Sequence, residues 1–259
     1  MGLLDGQRGL VIGVANERSI AWHIARNAVQ HGATCAFSYY PDEKMERRVR
    51  RVVDGHGLKD AWLHPCDVGS DEDLDRLFAA LAADAIDLDF VVHSVAYADR
   101  TYLAPGRFHE TPREVFRQAL DISAYTLVAV ARRAAEQMPS GGSILSLSYY
   151  GSEKAVPGYN VMGVAKAALE ATTRYLAAEL GGQGIRVNTL SAGPCRTVSA
   201  MAVGEVDRMF ERMEEQAPLR RNITTDEVGK AAVYLLSDLS SGVTGETHHV
   251  DAGYNAVAG

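Results

Sequence analysis

Several things are missing from this 259-residue chain, and each one removes a class of function. No apolar run approaches the roughly 18 residues that a membrane helix needs. The opening MGLLDGQRGLVIG lacks the charged, then apolar, then small-residue order of a signal peptide, and it reads as the mature start of a soluble, cytoplasmic protein. Cys35, Cys66 and Cys195 are odd in number and have no C-x-x-C spacing, which argues against a disulfide framework or a zinc site and favours a reducing compartment. The eight histidines include no H-E-x-x-H, and the adjacent His248 and His249 project to opposite faces of a strand, so no metal is expected. A formal net charge of −7 disfavours non-specific nucleic-acid binding and requires an acidic partner to find a local basic patch. No proline-, glycine- or serine-rich linker, repeat or low-complexity tract divides the chain, so one domain over residues 1–259 is expected.

What is present is 47% apolar and arranged in alternation. GLVIG (9–13), ATCAFSY (33–39), AWLHPCDV (61–68), DFVVHSVA (89–96), GSILSLS (142–148), GIRVNTLSAG (184–193) and THHVDAG (247–253) read as seven strands. Segments of helical period separate them, among them SIAWHIARNAVQHG (19–32), which closes on a glycine. The pattern implies an α/β fold: a seven-stranded, mostly parallel sheet with helices on both faces. Ligands of such sheets bind beyond the carboxyl ends of the strands. The longest irregular piece follows the sixth strand from Pro194 to about Met209, where a segment is placed to close over a site.

The first strand-to-helix turn reads GVANERSIA (13–21) and keeps only Gly13 of the G-x-G-x-x-G fingerprint. Ser19 and Ile20 open a helix whose free N–H groups favour a phosphate; the plainer role of Ser19 is a helix cap. After the second strand, FSYYPDE (37–43) has no acid before Asp42, and no arginine appears until Arg47. A 2′-phosphate needs a close cation, so the pattern leans to NADH over NADPH, which Arg47 and Arg48 keep open. Asp67 and Val68 end the third strand, where a carboxylate can accept from an adenine amino group or cap the next helix.

The stretch SYYGSEKAVPGYNVMGVAKAALEA (148–171) carries Tyr149, Tyr150, Tyr159 and Lys166. Seven residues make nearly two helical turns, so Tyr159 and Lys166 share a face about 10 Å apart along the axis. A phenol with a pKa of about 10 is a poor acid, and a nearby ammonium makes its proton easier to give. Taken alone, the spacing also occurs by chance on amphipathic helices.

In its motifs the chain resembles the short-chain dehydrogenase/reductases, and among them the bacterial enoyl-(acyl carrier protein) reductases. Ordinary members carry Y-x-x-x-K, but four residues before Lys166 stands Met162, which has no proton to donate. They also carry a serine about thirteen residues before that tyrosine; here the position is Tyr149. Tyr149, Tyr159 and Lys166 instead match the enoyl-reductase pattern Y-x₉-Y-x₆-K. GVANERSIAWHIA, CDV (66–68), HSVAYA (93–98), RVNTLSAGP, CRTVS (195–199) and GETHHVDAGY extend the likeness over essentially the whole chain.

The resemblance implies a single-domain Rossmann fold and NADH-dependent reduction of trans-2-enoyl thioesters on acyl carrier protein, in type II fatty-acid synthesis. Tyr159 would hydrogen-bond the thioester oxygen as charge collects there, Lys166 would bind the nicotinamide ribose, and Tyr149 would orient the thioester while Tyr150 packs. Cofactor contacts would come from Gly13, Ser19 and Ile20 at the pyrophosphate, and from Asp67 and Val68 at the adenine with Tyr40 nearby. Ser94, Val95, Ala96, Cys195, Arg196 and Thr197 would meet the nicotinamide half. Ala98, Met162, Ala200, Met201, Val203 and Met209 would join the two tyrosines around the acyl chain, within a mobile loop and helix around 194–216 for the later ones. Val206 would face the same chain. Arg208 and Arg212 are candidates for docking the carrier protein, or for pairing with Glu205 and Glu211. The family is usually tetrameric, built on helices such as 112–137 and 158–181; on the latter, Leu169, Tyr175 and Leu176 form a second face. The family commonly has glycine at the position of Ala96, and its NADH users often have glutamine at that of Tyr40. Alternatives are another short-chain reductase acting on a specialised enoyl or a 3-ketoacyl thioester, and an idle NAD(H) sensor.

Overall fold

The computed structural model describes residues 2–198, 200–202 and 206–257. Seven strands, β1 (Arg8–Ile12), β2 (Thr34–Tyr39), β3 (Leu63–Pro65), β4 (Phe90–His93), β5 (Gly142–Ser148), β6 (Ile185–Ala192) and β7 (Thr247–Val250), form one sheet ordered β3-β2-β1-β4-β5-β6-β7. Every pairing is parallel. The α-helices are α1 (Ile20–Gln30), α2 (Glu43–Gly55), α3 (Asp71–Ala83), α4 (Arg113–Leu120), α5 (Thr126–Glu136), α6 (Asn160–Leu180), α7 (Val206–Gln216) and α8 (Thr225–Leu236).

Alternation along the strands splits the core between two faces. On β1, Val11 packs with Trp22 and Ile24 of α1 and Val228 of α8. Leu10 and Ile12 face the other way, towards Leu74 and Leu77 of α3, Leu127 of α5 and Leu169 of α6. Strands buried on both sides read as continuous apolar runs, which is why they stand out in the sequence. β3 is shorter than its apolar stretch because it is an edge strand whose ladder stops at Pro65. Beyond it, Asp67 and Ser70 turn the chain into α3, and Ser70 rather than Asp67 caps that helix by accepting from the Asp73 N–H.

Two helices depart from expectation in ways that matter for the site. The run expected over 112–137 is broken by a wider, π-type turn at Asp121–Tyr125, between α4 and α5. From that turn Ser123 Oγ accepts from the Tyr97 N–H (2.9 Å) and donates to the Tyr97 carbonyl (3.1 Å), tying down the loop after β4. On α6, Leu169 and Leu176 are buried against the sheet, whereas Tyr175 is 75% exposed, so the three do not share a face.

Strand order reverses between β1 and β4. Gly13, which follows β1, has φ of +106°, and a Cβ there would lie 2.1 Å from the Ser94 carbonyl oxygen, so only glycine lets the two strand ends meet.

Candidate active site

A cavity of about 670 Å³ opens at the carboxyl ends of β1, β4, β5 and β6. One end is the turn Gly13 to Ile20. There Ser19 Oγ accepts from the N–H groups of Ala15 and Asn16, both at 3.1 Å, and caps no N–H of the helix. Its hydroxyl shapes the turn instead, leaving the first N–H groups of α1 for an anion. With Gly13 clearing the floor, this end fits the diphosphate of a dinucleotide despite the missing glycines.

At the other end lie Tyr149, Tyr159 and Lys166. β5 runs out at Ser148, so Tyr149 begins the following turn, and Tyr159 stands just before the first residue of α6. The two rings meet edge to face at 4.9 Å and 74°. Tyr159 is held from three sides. Leu103 and Met162 pack in the same small cluster, and the Gly151 backbone lies close enough that a Cβ there would be 2.4 Å from Tyr159 Cδ1. Asn160, next in sequence, has φ of +43°, and its side-chain amide donates to the carbonyls of Tyr102 (2.7 Å) and Ala104 (2.9 Å). Asparagine tolerates this left-handed conformation better than most residues. The loop after β4 is thereby stapled to the start of α6.

Lys166 is buried, and its Nζ donates to the Leu147 carbonyl at 2.7 Å. Burial brings its pKa down to about 8, against a partial offset from the charge of Glu170. Tyr159 moves the other way from the expected help of a lysine: burial first, then Tyr149 and Glu170, push its pKa well above that of a free phenol. Burial likewise raises Tyr149. Both phenols are therefore firmly protonated and serve as hydrogen-bond donors. Cys195 also lines the cavity, with its thiol pushed up to about 12 by burial, which suits packing and not nucleophilic chemistry.

Of the residues singled out from sequence, Gly13, Ser19, Ile20, Ser94, Val95 and Ala96 line this cavity, as do Ala98, Met162, Thr197, Ala200 and Met209. Five lie outside its lining. Tyr40 is 58% exposed at the end of β2, and Asp67 accepts from the Gly69 N–H at 2.9 Å. Val68 is buried under α3. Arg196 stacks on the Phe210 ring, 4.5 Å from its centroid, and Met201 is 54% exposed. Val203 and Glu205 fall outside the described residues. A second cavity of about 580 Å³ shares Tyr149 and Met209 with the first and is lined also by Tyr150, Lys154, Arg212 and Tyr254. Tyr150 packs its ring edge-on against Tyr254, as a structural residue would. Ser123, Asn160 and Glu170 shape the site without having been singled out; only asparagine directly after the tyrosine carried a local signal.

A family model described as Enoyl-(Acyl carrier protein) reductase matches residues 13–255. The chain is 49% identical over 256 residues to an enoyl-(acyl carrier protein) reductase (NADH) of Rhizobium meliloti, covering 99% of this chain and 93% of that one. It is 47% identical to the NADPH-named reductase of Staphylococcus aureus, with 98% of each covered. The crystal structure of the Bacillus cereus enoyl-acyl carrier protein reductase with NADP+ and an indole naphthyridinone superposes over 100% of both chains, with a TM-score of 0.96 and 48% identity.

Proposed function

The chain belongs to the enoyl-(acyl carrier protein) reductase family, and from that premise we propose how its own residues carry the reaction. It reduces the trans-2 double bond of enoyl thioesters borne by acyl carrier protein in type II fatty-acid synthesis, with NADH as reductant. When bound by the residues that line the cavity, the reduced nicotinamide would supply a hydride to the substrate's β-carbon. The residues contribute position and charge. Tyr159 gives a hydrogen bond to the thioester oxygen, where negative charge gathers as the double bond is reduced. Because burial keeps Tyr159 protonated, the donor is in place across the neutral pH range. Tyr149, edge-on to it, would orient the thioester, and the buried Lys166 ammonium would hold the ribose. Gly13, Ser19 and Ile20 take the diphosphate; Asp67, Val68 and Tyr40 flank the adenosine end; Ser94, Val95, Ala96, Cys195, Arg196 and Thr197 surround the nicotinamide end. Ala98, Met162, Ala200 and Met209, which line the cavity, surround the acyl chain.

One observation carries this reading: Tyr149, Tyr159 and Lys166 line a single cavity that begins at the Gly13 turn, while Met162 occupies the ordinary catalytic-tyrosine position. NADH over NADPH is supported by the lack of an arginine between the end of β2 at Tyr39 and Arg47, which with Arg48 is exposed on α2. Arg208 and Arg212, with Lys154 beside the latter in the second cavity, are assigned to the acidic carrier protein. A tetramer and a cytoplasmic location complete the proposal.

The test follows nicotinamide absorbance with a short trans-2-enoyl thioester, with NADH and NADPH separately, for the parent and Tyr159→Phe. Turnover is expected with NADH, and the variant is expected to lose about 10²–10³-fold in kcat with little change in NADH affinity. Reduction of a 3-ketoacyl but not an enoyl thioester would replace this reading with the ketoreductase one. NADH binding without turnover of either would leave a sensor.

A further inference from the structure

Glu170 is a buried carboxylate that the reaction above does not use. It stands four residues beyond Lys166 on the same side of α6 and is only 7% exposed. One oxygen, Oε1, accepts two hydroxyl bonds: one from Ser148, the last residue of β5, and one from Ser152 in the next turn, at 2.5 Å. Tyr149 lies between those two serines. A charge taken out of water is costly unless it is bonded and paired, so a carboxylate kept here has a partner to serve.

One turn back on that side of α6 stands Lys166, whose buried ammonium is the opposite charge of the site. The groups that meet the lysine from the packed elements are nearly all neutral. β5 offers the Leu147 carbonyl, and the hydroxyls of Ser146, Thr173 and Thr189 form their own cluster nearby. β4 offers His93, whose buried ring stays uncharged at neutral pH. Tyr159 and Tyr149 remain protonated. Glu170 is the charge that offsets the burial of the ammonium.

We propose that Glu170 is a positioning residue of this site: its carboxylate fixes the turn that carries Tyr149 and sets a negative charge one helical turn from the Lys166 ammonium that would hold the cofactor ribose. The inference rests on Lys166 holding the cofactor. The sign follows from the lysine, which is charged below its pKa. Removing the anion lowers that pKa, so the variant loses the ammonium at a pH where the parent retains it.

Glu170→Gln keeps the size and one acceptor oxygen for both hydroxyls while removing the charge. NADH affinity is measured by fluorescence titration across the neutral range for both proteins, alongside kcat and KM with the enoyl thioester. The ratio of variant to parent Kd is expected to rise about 5–10-fold between about pH 6 and pH 7.5, with KM for NADH changing more than kcat. A ratio constant with pH overturns the proposal and leaves Glu170 as a fold contact. Should the glutamine variant fail to fold, Ser152→Ala leaves the carboxylate charged with one donor fewer, so the lysine is expected to keep its proton to higher pH and the affinity profile to move the opposite way by less; an unshifted profile there overturns it as well. A parent that binds NADH but turns over no enoyl thioester would defeat the reductase reading alone, since the affinity profile still tests Glu170.

Discussion

His93 ends β4 directly behind the cavity, and its protonation matters to the fold more than to the reaction. Its Nε2 lies 2.9 Å from Thr126 Oγ1, its Nδ1 has no partner, and the ring is 1% exposed. Burial, and then the charge of Lys166, bring its pKa down to about 3. An unfolded chain binds this proton near pH 6.5, so stability is present in full above that pH and is lost as pH falls towards 3. Between about pH 6.5 and pH 4.5 the loss is expected to be on the order of 2–3 kcal/mol. Urea unfolding at both pH values checks it: His93→Gln should show a shallower decline than the parent, and equal slopes would refute the assignment. The same burial logic separates what sequence could and could not disclose at this scale. Tyr149, Tyr159 and Lys166 are legible because one short motif holds all three. Asn160, Ser123 and Glu170 act through partners 58, 26 and 22 residues away, which no local pattern records. The protonation of Tyr159 likewise depends on tertiary burial, so the lysine spacing alone pointed the wrong way.

At the scale of elements, the turn between β5 and α6 decides where Tyr159 sits. Gly151 lies in that turn, and its missing Cβ is what the Tyr159 ring occupies. Gly163, one helical turn into α6, lies against the Gly151 carbonyl, so the turn has no room to retreat: a Cβ on Gly163 would be 2.5 Å from that oxygen. Gly151→Ala is therefore expected to push the phenol out of line rather than to be absorbed. Overpacking of this kind costs about 1–3 kcal/mol of stability. A displacement of less than 1 Å is expected to lower kcat about 10-fold or more. Thermal melts and steady-state kinetics on one preparation test both, and a variant with parental kcat would show that the ring has slack. Elements are also where sequence reading did best. All seven strands were legible, the central ones because they are apolar on both faces; β3 and β7, at the sheet edges, are only partly buried. The π-type turn at Asp121–Tyr125 was not, because one extra residue in a turn leaves hydrophobic period almost intact.

Across the whole molecule, α5 and α6 cover one face of the sheet and leave large side chains outside. Tyr125 is 50% exposed and Val128 36% exposed, three residues apart along the helical run that ends in α5. On α6, Val164 is 37% and Tyr175 75% exposed, eleven residues and so about three turns apart on one side. An outward apolar strip on two neighbouring helices fits burial against another copy of the chain, which is the proposed tetramer. The arrangement has a consequence for the site, because α6 carries Lys166 and Glu170 on its inner side and Val164 and Tyr175 on its outer side. Packing on the outer side would brace the helix that holds the cofactor. Tyr175→Arg places a charge in that strip without touching the cavity. Light scattering on the eluted protein at micromolar concentration is expected to give a tetramer for the parent and smaller species for the variant. NADH affinity of the variant is expected to fall with dilution as the brace is lost. A monomeric parent, or a variant that elutes and binds as the parent does, would leave α6 held by its own chain alone.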